Sequence, residues 1–187
     1  MPFRRVLVLG GARSGKSSFA ERLASESGSA VLYVATAEAG DDEMAERIAL
    51  HRAQRPAAWR TLELPTGVAE GVAATLREGQ FAAETPSVSV TVVVEDLTFL
   101  LSNLMADDSV SDDDATHAES RAITEIRGLL TLPADIILVS NEVGMGLVPP
   151  YPLGRRFRDA LGRANQFAAA ACGEVYVLFA GLPLQLK

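Results

Sequence analysis

The fold is decided by the segment Gly10-Gly11-Ala12-Arg13-Ser14-Gly15-Lys16-Ser17, which directly follows the apolar run VLVL at residues 6–9. The segment matches the phosphate-loop pattern G-x-x-x-x-G-K-[ST]. Glycines at both ends allow the backbone to curl until several N–H groups converge on one point. A helix that begins after the loop would direct its positive N-terminal end to the same point. The segment therefore predicts a loop that binds a polyphosphate.

Two side chains of this loop have distinct predicted roles. Lys16 would bridge the β- and γ-phosphate oxygens as a mobile charge, and the Ser17 hydroxyl would ligate the Mg²⁺ that accompanies a nucleoside triphosphate. A chance match in a glycine-rich turn is the alternative, but Phe19, Ala20 and Leu23 follow at helical spacing, and this context favours a phosphate loop. The loop alone does not distinguish a kinase, a GTPase, an ATPase and a nucleotidyltransferase.

Composition narrows the class of protein. The 187 residues are most simply one domain, 1–187, and the net charge of −7 argues against a nucleic acid or an anionic membrane as partner. The lone Cys172 excludes an intrachain disulfide, and the sequence shows neither a leader nor a membrane segment, so we expect a cytoplasmic protein. We interpret the acidic stretch at residues 107–114 as a solvated loop without assigned function.

Buried strands alternate with helical segments along the chain. Apolar runs at residues 30–35, 88–94, 136–139 and 175–179 are typical of strands that are covered on both faces. With the run before the phosphate loop, they predict a three-layer α/β sandwich of the P-loop NTPase type with a mostly parallel sheet of about five strands. Such a sheet binds its ligand at the carboxyl ends of the strands.

Polar residues follow several of these strands. Thr36, Ala37 and Glu38 come after the second strand and are candidates to touch the nucleotide. Glu95 and Asp96 end the strand at residues 88–94, where an acid usually holds Mg²⁺ directly or through water. The pattern leaves open which of the two does so. The loop after residue 140, rich in glycine and proline, predicts either a substrate wall at residues 141–150 or an ordinary connection.

A predicted helix at residues 41–55 carries a dense cationic group. His51 lies near its last turn among Arg47, Arg52 and Arg55. These side chains could bind an anion, or they could complement the negative end of the helix dipole. Spacing alone favours the dipole interpretation.

Further short segments accompany the phosphate loop. They are Tyr33 to Thr36, Asp41 to Ile48, His51, Arg55 to Arg60, Leu97 to Leu104, Asn141 to Gly146 and Gly162 to Gln166. Taken together, these segments resemble the bifunctional adenosylcobinamide kinase / adenosylcobinamide-phosphate guanylyltransferase family of cobalamin biosynthesis. A phosphate loop is common, but this combination spans most of the chain and is specific.

The resemblance implies two reactions at a corrinoid substrate. The first is phosphorylation of the aminopropanol hydroxyl by ATP or GTP with Mg²⁺, and the second is transfer of GMP from GTP onto that phosphate, with release of pyrophosphate. The family passes GMP through a covalent histidine adduct, and His51 stands at the matching position, which reverses the dipole interpretation. The resemblance also implies a homotrimer.

The family's functional residues carry over position by position. His51 and Lys16 are expected to be catalytic, and Ser17 and Glu95 to hold the metal. The expected nucleotide contacts are Gly10, Gly11, Ala12, Arg13, Ser14, Gly15, Lys16, Ser17, Thr36, Ala37, Glu38, Arg52, Ala53, Gln54, Arg55, Glu63 and Glu95.

Two other functions use part of the same pattern. A monofunctional kinase of a small metabolite needs the loop, Mg²⁺ and Glu95, but leaves His51 as an ordinary helix-end histidine. A regulatory module gated by a nucleoside triphosphate keeps the loop and needs no acceptor site. Covalent labelling by GTP distinguishes the first from the bifunctional enzyme, and pyrophosphate release distinguishes the second.

Overall fold

The computed structural model describes residues 3–78, 89–107 and 114–187, which form seven strands and six helices. The predicted acidic loop lies mostly outside these residues. In chain order the elements are β1 (Arg5–Gly10), α1 (Lys16–Glu26), β2 (Ala30–Ala35), α2 (Asp42–Gln54), β3 (Arg60–Glu63), α3 (Val68–Arg77), β4 (Val90–Glu95), α4 (Leu97–Asp107), α5 (Asp114–Leu130), β5 (Asp135–Asn141), α6 (Pro152–Ala171), β6 (Glu174–Phe179) and β7 (Leu182–Gln185).

All seven strands belong to one sheet, in the order β3-β2-β4-β5-β1-β6-β7. Strands β1 to β6 are parallel, and only β7 runs antiparallel, paired with β6. The predicted mostly parallel α/β sheet is confirmed. The sheet has two more strands than the five apolar runs predicted. Strand β3 is a four-residue edge strand of partly exposed residues, and β7 is a four-residue edge strand that contains Pro183 and is exposed on both faces. Neither therefore shows the apolar pattern that marks the other strands.

The side chains of the sheet pack into two cores. Leu7 points to one face, where it packs with residues of α3, α4, α5 and α6. Its neighbours Val6 and Val8 point to the other face and pack against α1. Because successive side chains of a strand alternate, a fully apolar strand can fill both cores at once. Helices on both faces of the sheet give the predicted three layers.

The carboxyl ends of the parallel strands gather the candidate residues at one edge. In the register of the sheet, Ala35 of β2 pairs with Glu63 on one side and with Glu95 on the other. Likewise, Gly10 of β1 pairs with Asn141 of β5. Residues that are far apart in the sequence are thus aligned in a single row.

Helix ends follow local sequence signals. Helix α2 ends at Gln54, just before Pro56, as predicted. Helix α6 begins at Pro152, because proline has the backbone geometry of a first helical turn and needs no N–H partner there. In the described part of the chain, no helix combines the length and the apolar character needed to cross a membrane.

The single cysteine provides a test of this packing. Cys172 directly follows α6 and is buried, and burial raises the pKa of its thiol to about 11. Because the thiolate is the nucleophile, we expect an aromatic disulfide reagent at pH 8 to label the folded protein at least about 100-fold more slowly than the unfolded protein. One thiol per chain should react in guanidinium chloride. Rapid stoichiometric labelling in native buffer would contradict the buried position.

Candidate active site

The phosphate loop has the backbone geometry that its glycines permit. Gly15 has φ of +91°, and a Cβ at Gly10 would lie 2.3 Å from the Ser14 Oγ. Both positions therefore exclude a side chain. The backbone N–H of Gly181, in the turn between β6 and β7, donates to the Ser14 carbonyl at 2.9 Å. The loop is thus held by β1 and α1 and also by the last turn of the sheet.

The carboxyl ends of the parallel strands have a polar centre, formed by Lys16, Ser17 and Glu95. The Ser17 Oγ donates to the Glu95 Oε1 at 2.6 Å, and Lys16 is only 8% exposed. Burial, followed by the charge of Asp96, raises the pKa of Glu95 to about 7, against the opposing effect of Ser17 and Lys16. A carboxylate held in this way gains from an incoming cation.

Asp96 points elsewhere and has a different set of partners. Its Oδ1 accepts a hydrogen bond from the Phe99 N–H at 2.9 Å and so caps α4. Its Oδ2 accepts from the Asn141 Nδ2 at 3.1 Å. The two adjacent acids thus have different partners, since Glu95 contacts Ser17 and Asp96 anchors α4 and β5. Which of them holds a metal ion stays a prediction.

Thr36 joins the end of β2 to the same network. Its hydroxyl accepts from the Asp96 N–H at 2.8 Å and donates to the Asp96 carbonyl at 2.7 Å. The side chain is fully buried. Ala37 is partly buried and Glu38 is exposed, and both follow Thr36 beyond the strand. Among the three predicted contacts, only these two present side chains to the open edge.

Helix α2 brings the expected transfer residues towards this edge. Arg52 forms an ion pair with Glu63 at the end of β3, and Ala53 is exposed. His51 lies in the last turn of α2, next to Arg52. The side chains of His51 and Gln54, and that of Arg47, lie outside the described residues, so their distances to the loop stay untested.

The loop between β5 and α6 lies beside the phosphate loop. It contributes Glu142 and Met145 to a cavity of about 310 Å³. The remaining lining residues are Gly10, Gly11, Ala12, Arg13, Ser14, Val177, Leu178, Phe179 and Ala180. Met145 and Leu147 are 78% and 96% exposed. The predicted substrate wall is therefore next to the nucleotide loop and presents apolar side chains.

Sequence reasoning missed the surroundings of Arg55. Its guanidinium carbon lies 3.9 Å from the centroid of the Tyr33 ring, and its charge opposes the raised pKa of the partly buried Glu21. Glu21 lies one helical turn after Ser17, which is the one local signal that could have identified it. The contact with Tyr33 joins positions 22 residues apart and has no local signal.

The donor set is suited to a magnesium ion that arrives with a nucleotide. The described residues contain no group of three or more His, Cys, Asp or Glu side chains with the geometry of a metal site. Mg²⁺ typically keeps several waters and binds one or two protein oxygens together with substrate phosphates. The hydroxyl of Ser17 and the carboxylate of Glu95, 2.6 Å apart, are such oxygens.

Solved structures share the fold of the chain. A structure entitled "The Structure Of A DnaB-Like Replicative Helicase And Its Interactions With Primase" aligns with 93% of this chain and 46% of its own, with a TM-score of 0.53 and 13% identity. The ATPase domain of G40P aligns with 94% of this chain and 69% of its own, with a TM-score of 0.52 and 14% identity. At this identity, the likeness shows a P-loop NTPase fold and nothing about substrate.

Sequence comparison is more specific. The chain is 50% identical to the bifunctional adenosylcobalamin biosynthesis protein CobP of Pseudomonas aeruginosa, over 98% of this chain and 97% of the relative. It is 42% identical to the protein CobU of Escherichia coli, described in the same words, over 97% and 99%, and 39% identical to that of Salmonella typhimurium, over 97% and 99%. The sequence model of one family, described as cobinamide kinase / cobinamide phosphate guanyltransferase, matches residues 6–186. The resemblance found in the sequence is confirmed, and the chain belongs to the cobinamide kinase / cobinamide phosphate guanyltransferase family, whose members are transferases.

Proposed function

We propose that this protein phosphorylates adenosylcobinamide with a nucleoside triphosphate and then transfers GMP from GTP to the resulting phosphate through a guanylylated histidine. The products are adenosylcobinamide-GDP and pyrophosphate. The observation that carries the proposal is the phosphate loop with Ser17 bonded to Glu95 at 2.6 Å, in a chain that is similar over nearly its whole length to bifunctional relatives. One nucleotide site in one domain would serve both reactions.

In the kinase step, the oxygen of the aminopropanol hydroxyl attacks the γ-phosphorus. The bond from that phosphorus to the β–γ bridging oxygen breaks, the nucleoside diphosphate leaves, and the hydroxyl proton is released. The loop's N–H groups and the buried ammonium of Lys16 stabilise the charge that develops on the phosphoryl oxygens. No adduct with the enzyme forms in this step.

In the transfer step, an imidazole nitrogen of His51 attacks the α-phosphorus of GTP, and pyrophosphate leaves. A phosphate oxygen of adenosylcobinamide phosphate then attacks the same phosphorus and releases the imidazole. Arg52 and Arg55 follow His51 in the chain, and the charge of Arg55 would draw in the phosphates of GTP. The charge of Arg52, next to His51, would stabilise the pentavalent transition states. Glu63 holds Arg52 from the end of β3.

Ser17 and Glu95 would hold the Mg²⁺ of the nucleotide. The ion would neutralise charge on the triphosphate oxygens. Breaking the hydrogen bond between Ser17 and Glu95 would cost little free energy, because both oxygens would then bind the cation. Lys16 keeps the loop positive in either state.

The loop at residues 141–150 would form one wall of the corrinoid site. Its exposed Met145 and Leu147 suit the apolar faces of a macrocycle, and a corrinoid bound there would have its acceptor hydroxyl near the γ-phosphate. Contact with the nucleotide cavity through Met145 supports this assignment over that of an ordinary connection.

The first test concerns the lysine of the loop. Lys16→Ala should lower both activities more than about tenfold, because both reactions need a triphosphate held by the same loop. Lys187→Ala is a matched control, since Lys187 is the other lysine of the chain and bonds the Cys172 carbonyl at the opposite edge of the sheet. Near wild-type turnover by a folded Lys16→Ala variant would remove the loop from the catalytic site.

The second test separates the two histidines of the chain. His51→Asn should lose GMP transfer and keep kinase activity, because only the transfer step uses a covalent adduct. With GTP labelled at the α-phosphate, wild type and His117→Asn should give an acid-labile, base-stable phosphoramidate, and His51→Asn should give none. Label that persists without His51 and disappears without His117 would refute the assignment. Absence of label from all three proteins, with kinase activity intact, would favour a monofunctional kinase.

The third test concerns assembly. We infer a homotrimer from the family resemblance, and the apolar side chains exposed on β7, Leu182 and Leu184, are consistent with a covered edge. Light scattering of the purified protein should give three times the mass of one chain. A monodisperse monomer with full activity would exclude a site shared between subunits.

A further inference from the structure

A cluster of four side chains lies between α1, β2 and the end of α2, and none of its contacts is explained by the phosphate loop itself. The guanidinium of Arg55 packs on the ring of Tyr33, 3.9 Å from its centroid. The ring of Trp59 stacks with that of Tyr33 at 6.2 Å between centroids and 27° between planes. Glu21 of α1 lies within the electrostatic range of Arg55, whose positive charge opposes the rise that burial causes in the pKa of Glu21.

The cluster is close to the candidate active site. Glu21 and Ser17 stand one turn apart on the same face of α1, and Ser17 bonds Glu95. The charges of Glu95 and Glu21 both act on the Tyr33 hydroxyl, whose pKa is raised mainly by burial. Tyr33 pairs with Val93 in the sheet, two residues before Glu95. The guanidinium of Arg55 therefore lies on the face of the sheet that α1 covers, on the side of Glu95.

Arg55 is held by packing and charge but is left with an unmet hydrogen bond. Its Nε–H is buried and has no acceptor within the described part of the chain, and the Tyr33 hydroxyl has no partner of normal geometry there. A buried donor without an acceptor is costly, more so when it is charged. Such a donor is rarely retained in a purely structural arginine, and an anionic oxygen from a ligand removes the cost.

We propose that Tyr33 and Glu21 are positioning residues that hold Arg55 ready for a phosphate oxygen of the nucleotide. The proposal rests on the proposed function, in which Arg55 contacts GTP. The ring of Tyr33 supplies the face on which the guanidinium packs, Trp59 stacks with that ring, and the negative charge of Glu21 attracts the guanidinium from α1. Preorganisation of this kind lowers the entropy lost on binding.

Two variants of Tyr33 distinguish this role from simple core packing. A packing role depends on the volume of Tyr33, whereas the positioning role depends on its aromatic face. The hydroxyl forms no hydrogen bond of normal geometry with the described residues, so Tyr33→Phe should leave both roles intact. Tyr33→Leu keeps much of the apolar volume and removes the face.

The experiment measures the KM for GTP in the transfer step, followed by pyrophosphate release. Tyr33→Leu should raise the KM about tenfold with kcat changed less than about twofold, as expected when a desolvated cation–π contact that serves binding is lost. Tyr33→Phe should stay within about twofold of wild type. Glu21→Gln, which does not disturb the core, should raise the KM about threefold, and Glu26→Gln, at an exposed acid of the same helix, should not change it.

A double-mutant cycle tests whether Tyr33 acts through Arg55. In the Arg55→Ala background, neither Tyr33→Leu nor Glu21→Gln should raise the KM further. Additive effects in that background would overturn the proposal. A Tyr33→Phe variant as impaired as Tyr33→Leu would also overturn it, because the hydroxyl would then be the active group.

Trp59 supplies a readout that does not require turnover. It is the only tryptophan of the chain, so its emission reports this cluster alone. A non-hydrolysable GTP analogue with Mg²⁺ should change the emission of wild type and of Tyr33→Phe, and the change should be lost in Arg55→Ala. A wild-type protein that binds the analogue without any change at Trp59 would overturn the proposal.

Failure of the proposed function is visible separately. A wild-type protein that releases no pyrophosphate with corrinoid phosphate and GTP would reject the transfer reaction itself. The cluster would still be tested by the emission of Trp59, since that measurement depends on nucleotide binding alone. If wild type is active and Glu21→Gln and Tyr33→Leu are both indistinguishable from it, only the positioning role is rejected.

Discussion

The hydrogen bond from the Ser17 hydroxyl to the Glu95 carboxylate is the contact on which the rest of the site depends. It joins the start of α1 to the end of β4 across the intervening strand β5. A triphosphate would bring several negative charges to this end of the sheet. A carboxylate can lie beside it only if positive charges and hydrogen-bond donors compensate for the repulsion. The buried Lys16 and the N–H groups of the loop supply them. In the proposed function, the acid and the hydroxyl are the two oxygens that would receive the Mg²⁺ of the nucleotide.

A second carboxylate, directly after the first, has a structural task. Burial raises the pKa of Asp96, and an unpaired charge in this position would be strongly destabilising. The N–H of Phe99 and the amide of Asn141 compensate for that burial, and the Thr36 hydroxyl bonds the backbone of the same residue on the other side. The ends of β2, β4 and β5 are therefore joined through one residue.

The sequence was informative where chemistry is local. The phosphate loop, the buried parallel strands and the ends of α2 follow from glycine, apolar runs and proline, and the family was evident from segments spread along the chain. Strand β7 was missed because a short exposed edge has no apolar signature. The choice between Glu95 and Asp96 depends on which way two adjacent side chains point, and the stacking of Arg55 on Tyr33 depends on how α2 returns to the sheet. The expected role of His51 stays a prediction, since its side chain lies outside the described residues.

The hydrogen bond between Gly181 and Ser14 has a consequence for redesign of the chain. It fixes the length of the hairpin between β6 and β7, because an inserted residue would withdraw the N–H from the loop carbonyl. A Cβ on Gly15 would meet the backbone of Gly181 at 3.1 Å, so the two glycines are matched in shape as well. Grafted peptides and fused reporters therefore belong in other connections of the chain. Changes to the sequence of the hairpin would therefore also change the conformation of the nucleotide loop.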